Sequence, residues 1–209
     1  MTLFNYLNGR GFSLSTLANK RIGFGVTASH CTFPELEGMI TQLLNEGAEV
    51  HPIVTYSVLS ADTRFGSGEQ WVAKLEELCG RKVVTTIAGA EPFGPITPLD
   101  CMVISPLTGN SLSKFANAQT DSPVLMAAKA TLRNRKPVVV GVSTNDALGM
   151  NGPNVMALLR SKNIYLIPLG QDDPVKKPTS LVADFSKLAK TVEAALDGEQ
   201  LQPLLISYS

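Results

Sequence analysis

Hydroxyl and amide side chains gather in one stretch of this chain, Ser105-Pro106-Leu107-Thr108-Gly109-Asn110-Ser111-Leu112-Ser113-Lys114-Phe115-Ala116-Asn117, directly after the apolar run Cys101-Met102-Val103-Ile104. Neutral hydroxyls, amides and backbone N–H groups at a helix start are donors suited to a phosphate monoester or a carboxylate. Two other apolar runs end similarly, in Val26-Thr27-Ala28-Ser29 and in Val54-Thr55-Tyr56-Ser57. Each cluster can also be read as a plain helix cap, because Ser, Thr and Asn are the preferred N-cap residues. Convergence separates the two readings, and convergence depends on the elements that carry the clusters.

Those elements alternate along the chain. Apolar, β-rich runs predict strands at 22–26, 50–55, 83–87, 101–105, 138–142 and 164–167, and 3.6-residue periodicity predicts helices at 32–44, 111–118, 123–133, 154–162 and 181–196. A further helix runs through Trp71, Leu75 and Leu78, and Thr32 with Glu35 forms a capping box around Pro34. Strand–helix alternation implies right-handed crossovers, hence an α/β chain with a single doubly wound parallel sheet of Rossmann-like form. No linker divides residues 1–209, so one domain is expected, with about the first twenty residues and the last dozen as extensions that meet a partner subunit. In such a sheet ligands bind beyond the carboxyl ends of the strands, which brings the ends near residues 27, 55 and 105 together.

Composition removes several classes of function. Lys plus Arg equals Asp plus Glu at 18 each, and no basic run is interleaved with aromatics, so nucleic acid is not an expected partner. No apolar run approaches membrane length, and the N-terminus lacks the pattern of a secretion signal. Cys31, Cys79 and Cys101 stand at unrelated spacings and make neither a metal pair nor a disulfide framework, which points to a reducing cytoplasm. With two histidines in the whole chain, a His-rich metal site is excluded.

The first strand offers a loose G-x-G-x-x-A in Gly23, Gly25 and Ala28. Gly23 falls inside the strand rather than at its turn, and the second strand ends without the acidic residue that would hold a ribose, so a dinucleotide is disfavoured. A mononucleotide such as FMN suits the hydroxylated ends better. Other residues keep two readings each. Cys31 is a nucleophile at a helix start or a small filler, and His30 binds an anion or exchanges protons, or simply faces solvent. Arg64 grips a dicarboxylate or lies on the surface. His51 and Trp71 read as core or interface side chains, and Lys129, Arg133, Arg135 and Lys136 as a solvated helix face.

These residues carry a resemblance to the homo-oligomeric FMN-containing decarboxylases and their relatives among the flavoproteins. Gly25 to Ser29 resembles the first FMN loop of that family, and 105–116 resembles its P-x-T-x-N-x-x-x-K-x-A segment. Asn145 and the stretch Met150-Asn151-Gly152-Pro153 resemble its Asn-containing substrate loop, and the likeness covers about residues 20–168. The resemblance implies that Thr27, Ser29 and Ser57 meet the FMN phosphate, while Ser105, Thr108 and Asn110 line the flavin edge. Lys114 supports the helix. Ser143, Thr144 and Asn145 would face substrate carboxylates, with His30 beside them. It further implies trimer-based homo-oligomers.

The opening Arg21-Ile22-Gly23-Phe24-Gly25 to Ser29-His30-Cys31-Thr32, with 139–149, resembles a branch of the family that works beside a dehydrogenase-like partner subunit in the mother-cell cytoplasm of sporulating bacteria. That implies an aromatising oxidation of a small dicarboxylate, with hydride leaving to flavin or to a nicotinamide, NAD(P), on the partner. Two alternatives are an FMN-dependent decarboxylase of a small carboxylate or thiol, and a non-catalytic flavin-binding assembly subunit. The chain departs from the decarboxylases in having no His within 85–100 and in reading Ser143-Thr144-Asn145 where they carry P-x-M-N.

Overall fold

Along 21–26, bulky Ile22, Phe24 and Val26 alternate with small Gly23 and Gly25, and this alternation decides how two helix layers close on one sheet. The computed structural model describes residues 16–207, apart from the side chains of His30 and Cys31. Its first half contains β1 (Arg21–Val26), α1 (Leu36–Asn45), β2 (Glu49–Val54), α2 (Tyr56–Leu59), the short hairpin β3 (Asp62–Thr63) and β4 (Gly66–Ser67), α3 (Gly68–Cys79) and α4 (Ile87–Ala90). The second half contains β5 (Cys101–Leu107), α5 (Gly109–Ala116), α6 (Pro123–Arg133), β6 (Val138–Thr144), α7 (Gly152–Leu159), β7 (Ile164–Leu166), β8 (Leu169–Gly170), β9 (Leu181–Ala183) and α8 (Leu188–Leu196).

The central sheet runs β2-β1-β5-β6, all parallel. β6 pairs with β7 in parallel over 138–140, then turns its end, Ser143 and Thr144, to antiparallel β9, with β8 outermost. One face is covered by α1, α3 and α8 through Leu36, Leu43, Trp71, Leu75 and Val192, packed on Ile22, Phe24, Val103 and Val139. The other is covered by α5, α6 and α7 through Leu112, Val124, Ala127, Val155 and Leu158, packed on Met102, Ile104, Val138 and Val140. Gly23 and Gly25 face this second layer. A Cβ on Gly25 would stand 2.7 Å from both Met102 Cε and Val124 Cγ1, so the glycines admit core packing and make no phosphate turn.

The α/β class and the mostly parallel sheet agree with the sequence expectation, and three local expectations do not. Residues 83–87 form no strand: Val84 makes a single bridge to Ile53, and Thr86 then caps α4 by accepting from Gly89 N. The helix expected over 181–196 begins as β9, because Leu181 and Ala183 are buried against the sheet end, and is helical in α form only from Leu188. Thr32 and Glu35 form no capping box; 30–35 is a 3-10 turn in which the Thr32 hydroxyl donates to Ser29 O. Part of the C-terminal extension packs back on the sheet, where Leu169 N donates to Leu204 O and Ile206 N to Leu169 O. Residues 1–15 lie outside the described residues, and so does their expected role as an extension.

Candidate functional site

The carboxyl ends of β1, β5 and β6 open into a cleft of about 710 Å³, walled on its far side by the excursion 171–180 between β8 and β9. Thr27 fixes the first two ends to each other. Fully buried, its hydroxyl donates to Pro106 O at 2.7 Å and accepts from Thr108 N at 3.0 Å. Thr108 is then the N-cap of α5, its hydroxyl accepting from Ser111 N, and it faces the cleft. Across the gap, Ser29 Oγ lies 3.2 Å from Ser143 Oγ, joining the β1 loop to the end of β6.

The β6 loop is held from beneath. Asp146 accepts from Thr144 Oγ1 at 2.6 Å on one carboxylate oxygen and from Asn151 Nδ2 at 2.8 Å on the other. Asn154 Nδ2 donates onward to Asn151 Oδ1. Only glycine fits against this group: a Cβ on Gly109 would stand 2.7 Å from Thr144 Oγ1 and 2.9 Å from Asp146 Oδ1 and Asn151 Nδ2. The start of α5 therefore rests directly on the loop that presents Asn145. The Thr179 hydroxyl donates to Asn145 O and Leu148 N donates to Thr179 O, which ties the excursion to the same loop.

The cleft's ionisable lining comes from Glu35, expected only as a helix cap, and from Asp172 and Lys177, which the sequence reading passed over. Lys177 Nζ donates to Asp172 Oδ2 at 2.9 Å, and Ser180 Oγ donates to Asp172 Oδ1 at 2.8 Å. Burial pushes the Asp172 carboxyl upward, but the donors on Lys177 and Ser180 outweigh it and hold the group below its ordinary value. Burial raises the Glu35 carboxyl above its ordinary value.

Of the residues that the resemblance puts in contact with cofactor or substrate, Ser29, Thr108, Ser143, Thr144 and Asn145 line the cleft together. Thr27 lies under it with its hydroxyl engaged by backbone. Ser105 is fully buried on the α1 side of the sheet, where its hydroxyl meets Met39 Sδ at 3.1 Å, so it does not line the cleft. β5 continues to Leu107, two residues past its expected end, and thereby places Thr108 rather than Ser105 at the edge. Asn110 is exposed on the first turn of α5, and Ser57 is exposed on α2, beyond β1 from the cleft. The His30 and Cys31 side chains lie outside the described residues. Asp172, Lys177 and Ser180 were missed because 171–180 carries no periodicity. Its one signal is a run of charges between two apolar stretches, which reads as a loop.

The model of the Flavoprotein family matches residues 12–169, three quarters of the chain and every strand end that opens into the cleft. The chain belongs to the flavoprotein family. This flavoprotein is 61% identical over 193 residues to the B subunit of dipicolinate synthase from Bacillus subtilis (strain 168), covering 92% of this chain and 96% of the relative. It is also similar to the crystal structure of the B subunit of dipicolinate synthase from Bacillus halodurans C, with a TM-score of 0.85, 58% identity and coverage of 91% of this chain and 98% of that one. The FMN-dependent cysteine decarboxylase SpaF shares the fold at a TM-score of 0.63 and 20% identity, over 86% of this chain and 98% of that one. No helix among the described residues is long and apolar enough to cross a membrane, and none of their His, Cys, Asp and Glu side chains form a group able to hold a metal ion.

Proposed function

We propose that this flavoprotein is one subunit of a dipicolinate-forming enzyme, converting a dihydrodipicolinate-type intermediate to pyridine-2,6-dicarboxylate with a separate A subunit. The observation that carries the reading is 61% identity, over nearly the whole length of both chains, to a relative named as the B subunit of dipicolinate synthase. The cleft supports it chemically. A dicarboxylate needs several donors aimed into one space, and Ser29, Thr108, Ser143 and Asn145 reach one cleft from three strand ends.

The same lining fits flavin mononucleotide. The cleft's volume lies within the range of cofactor sites, about 300–1,000 Å³. Its hydroxyls are neutral donors at the β1 and β5 ends, and the buried Thr55 hydroxyl beside them has no hydrogen-bond partner that a bound anion would displace. Thr55 N donates to Val26 O, so this hydroxyl adjoins the 27–29 loop. FMN would be held by Ser29 and Thr108 and would supply two-electron redox chemistry to an oxidation driven by aromatisation. The chain's own residues bind and orient: Ser143 and Asn145 donate to substrate carboxylates, Thr144 gives its hydroxyl proton to Asp146 and so fixes the loop between them, and Thr27 holds Thr108 in place.

A nicotinamide belongs in this reading to the A subunit, because Thr55-Tyr56-Ser57, which follow β2, include no acidic ribose ligand. Trimer-based assembly and work in the mother-cell cytoplasm during sporulation complete the proposal. The test is an absorption spectrum of the purified chain after incubation with FMN and desalting. Oxidised-flavin bands near one per chain are expected, and a colourless protein would overturn the flavin site. Asn145→Ala in the complex with the A subunit then separates catalysis from assembly, since a pure assembly subunit would keep full activity.

A further inference from the structure

We infer that Lys177 is the residue by which this chain selects a second carboxylate on its ligand, and that Asp172 and Ser180 are its positioning residues. The inference rests on the dicarboxylate reading above and assigns a specific recognition role to the 171–180 excursion, which lies past the segment matched by the family model.

Charge comes first. Hydroxyls and amides fill the cleft lining from β1, β5 and β6, and among the described lining residues Lys177 is the one cation. Neutral donors satisfy one carboxylate well, but a dianion brought into a cleft that also holds Glu35 and Asp172 needs a positive partner. Lys177 is built to be that partner. Its ammonium is anchored on Asp172 at 2.9 Å, and Asp172 is itself engaged on its other oxygen by Ser180 at 2.8 Å. An ammonium carries three N–H donors and can hold more than one acceptor at once.

The backbone restrains the same residue. Lys177 N donates to Asp173 O and Ser180 N donates to Lys177 O, closing a tight turn. The Thr179 hydroxyl on Asn145 O then fixes that turn at 2.7 Å to the loop that presents the neutral donors. One carboxylate would sit with Ser143 and Asn145, the other with Lys177. Lys176, the adjacent lysine, is not part of the cleft lining and serves as the reference.

The experiment is calorimetric titration of the flavin-loaded chain with pyridine-2,6-dicarboxylate and with pyridine-2-carboxylate, at two ionic strengths. It compares the native chain with Lys177→Met, Lys177→Arg and Lys176→Met. The native chain should prefer the dicarboxylate. Lys177→Met should weaken the dicarboxylate about tenfold or more, leave the monocarboxylate within about twofold, and abolish the salt dependence of the difference; Lys177→Arg should restore most of it. Equal weakening of both ligands, or dicarboxylate binding within about twofold of native in Lys177→Met, overturns the role of Lys177 while the dicarboxylate reading stands. A native chain that binds neither pyridine overturns that reading and this inference with it.

Discussion

Two cavities of almost equal size open at opposite ends of the sheet, and only one has the makings of a site. The cleft at the carboxyl ends measures about 710 Å³, and the groove at the amino ends of β6 and β7 about 690 Å³. The groove is floored by Phe115, Leu125, Leu132 and Leu158, with Lys129, Arg135 and Lys162 on its rim. Those cations stand near the C-terminal ends of α6 and α7, where a positive charge complements the helix dipole without any ligand. In the cleft the polar groups arrive from three strand ends and a loop, and most are already oriented by hydrogen bonds to one another. Volume does not separate these regions. Convergence of donors does.

One loss should strike both ends together and so sets the scale. His51, on β2 and edge-on to Phe93, is held down to about 4 by burial, with Arg81 and Arg21 adding to the effect and Glu49 opposing it. The 4.0 Å approach of its Nε2 to Glu49 is therefore not an ion pair at neutral pH. The folded state resists protonation that the unfolded chain accepts, so this contribution is present above about pH 6.5 and lost as pH falls toward 4. Partial exposure of the ring keeps the loss below the ceiling of about 3.4 kcal/mol set by 1.36 kcal/mol per pKa unit. Urea unfolding at pH 7 and pH 4.5 should show it in the native chain and much less of it in His51→Gln.

Next in size, Thr27→Val leaves the buried Pro106 carbonyl without its donor and Thr108 N without its acceptor, and should cost about 1–3 kcal/mol of stability. Unlike the His51 effect, it should also weaken FMN binding, read by quenching of flavin fluorescence. Gly109→Ala pushes a methyl group onto Thr144, Asp146 and Asn151 and should cost about 1–3 kcal/mol as overpacking. Its FMN and dicarboxylate binding should fall while far-UV circular dichroism stays native. The smallest effect belongs to the groove. Lys129→Ala with Arg135→Ala should change stability by no more than about 0.5 kcal/mol per site and leave FMN binding unchanged. A loss of flavin binding in that pair would erase the distinction between the two cavities.

Much of this contrast could be read from residue order. Alternation placed the strands, and the hydroxyls at 27–29 and 108 were found because they sit where apolar runs stop, whereas 143–145 came from the likeness to a family loop. Reading failed where tertiary packing overrode local pattern. Ser105 looked like an edge residue, yet β5 runs on to Leu107 and turns its hydroxyl toward Met39. Residues 83–87 have strand composition but gain only one bridge, because the chain leaves the sheet edge at once for α4. Lys177 and Asp172 escaped notice for a different reason. Their relation to Ser143 and Asn145 arises from antiparallel pairing of β9 with the end of β6, and nothing local encodes that long-range contact.

The most direct test of the central claim is hydrogen-exchange mass spectrometry of the native chain with and without FMN. Added protection of backbone amides is expected at 28–32, 108–112 and 143–147, with no change at 116–120, 129–135 and 161–164. Protection confined to the second set, or absent from the first at saturating FMN, would contradict a flavin site at the carboxyl ends of the strands.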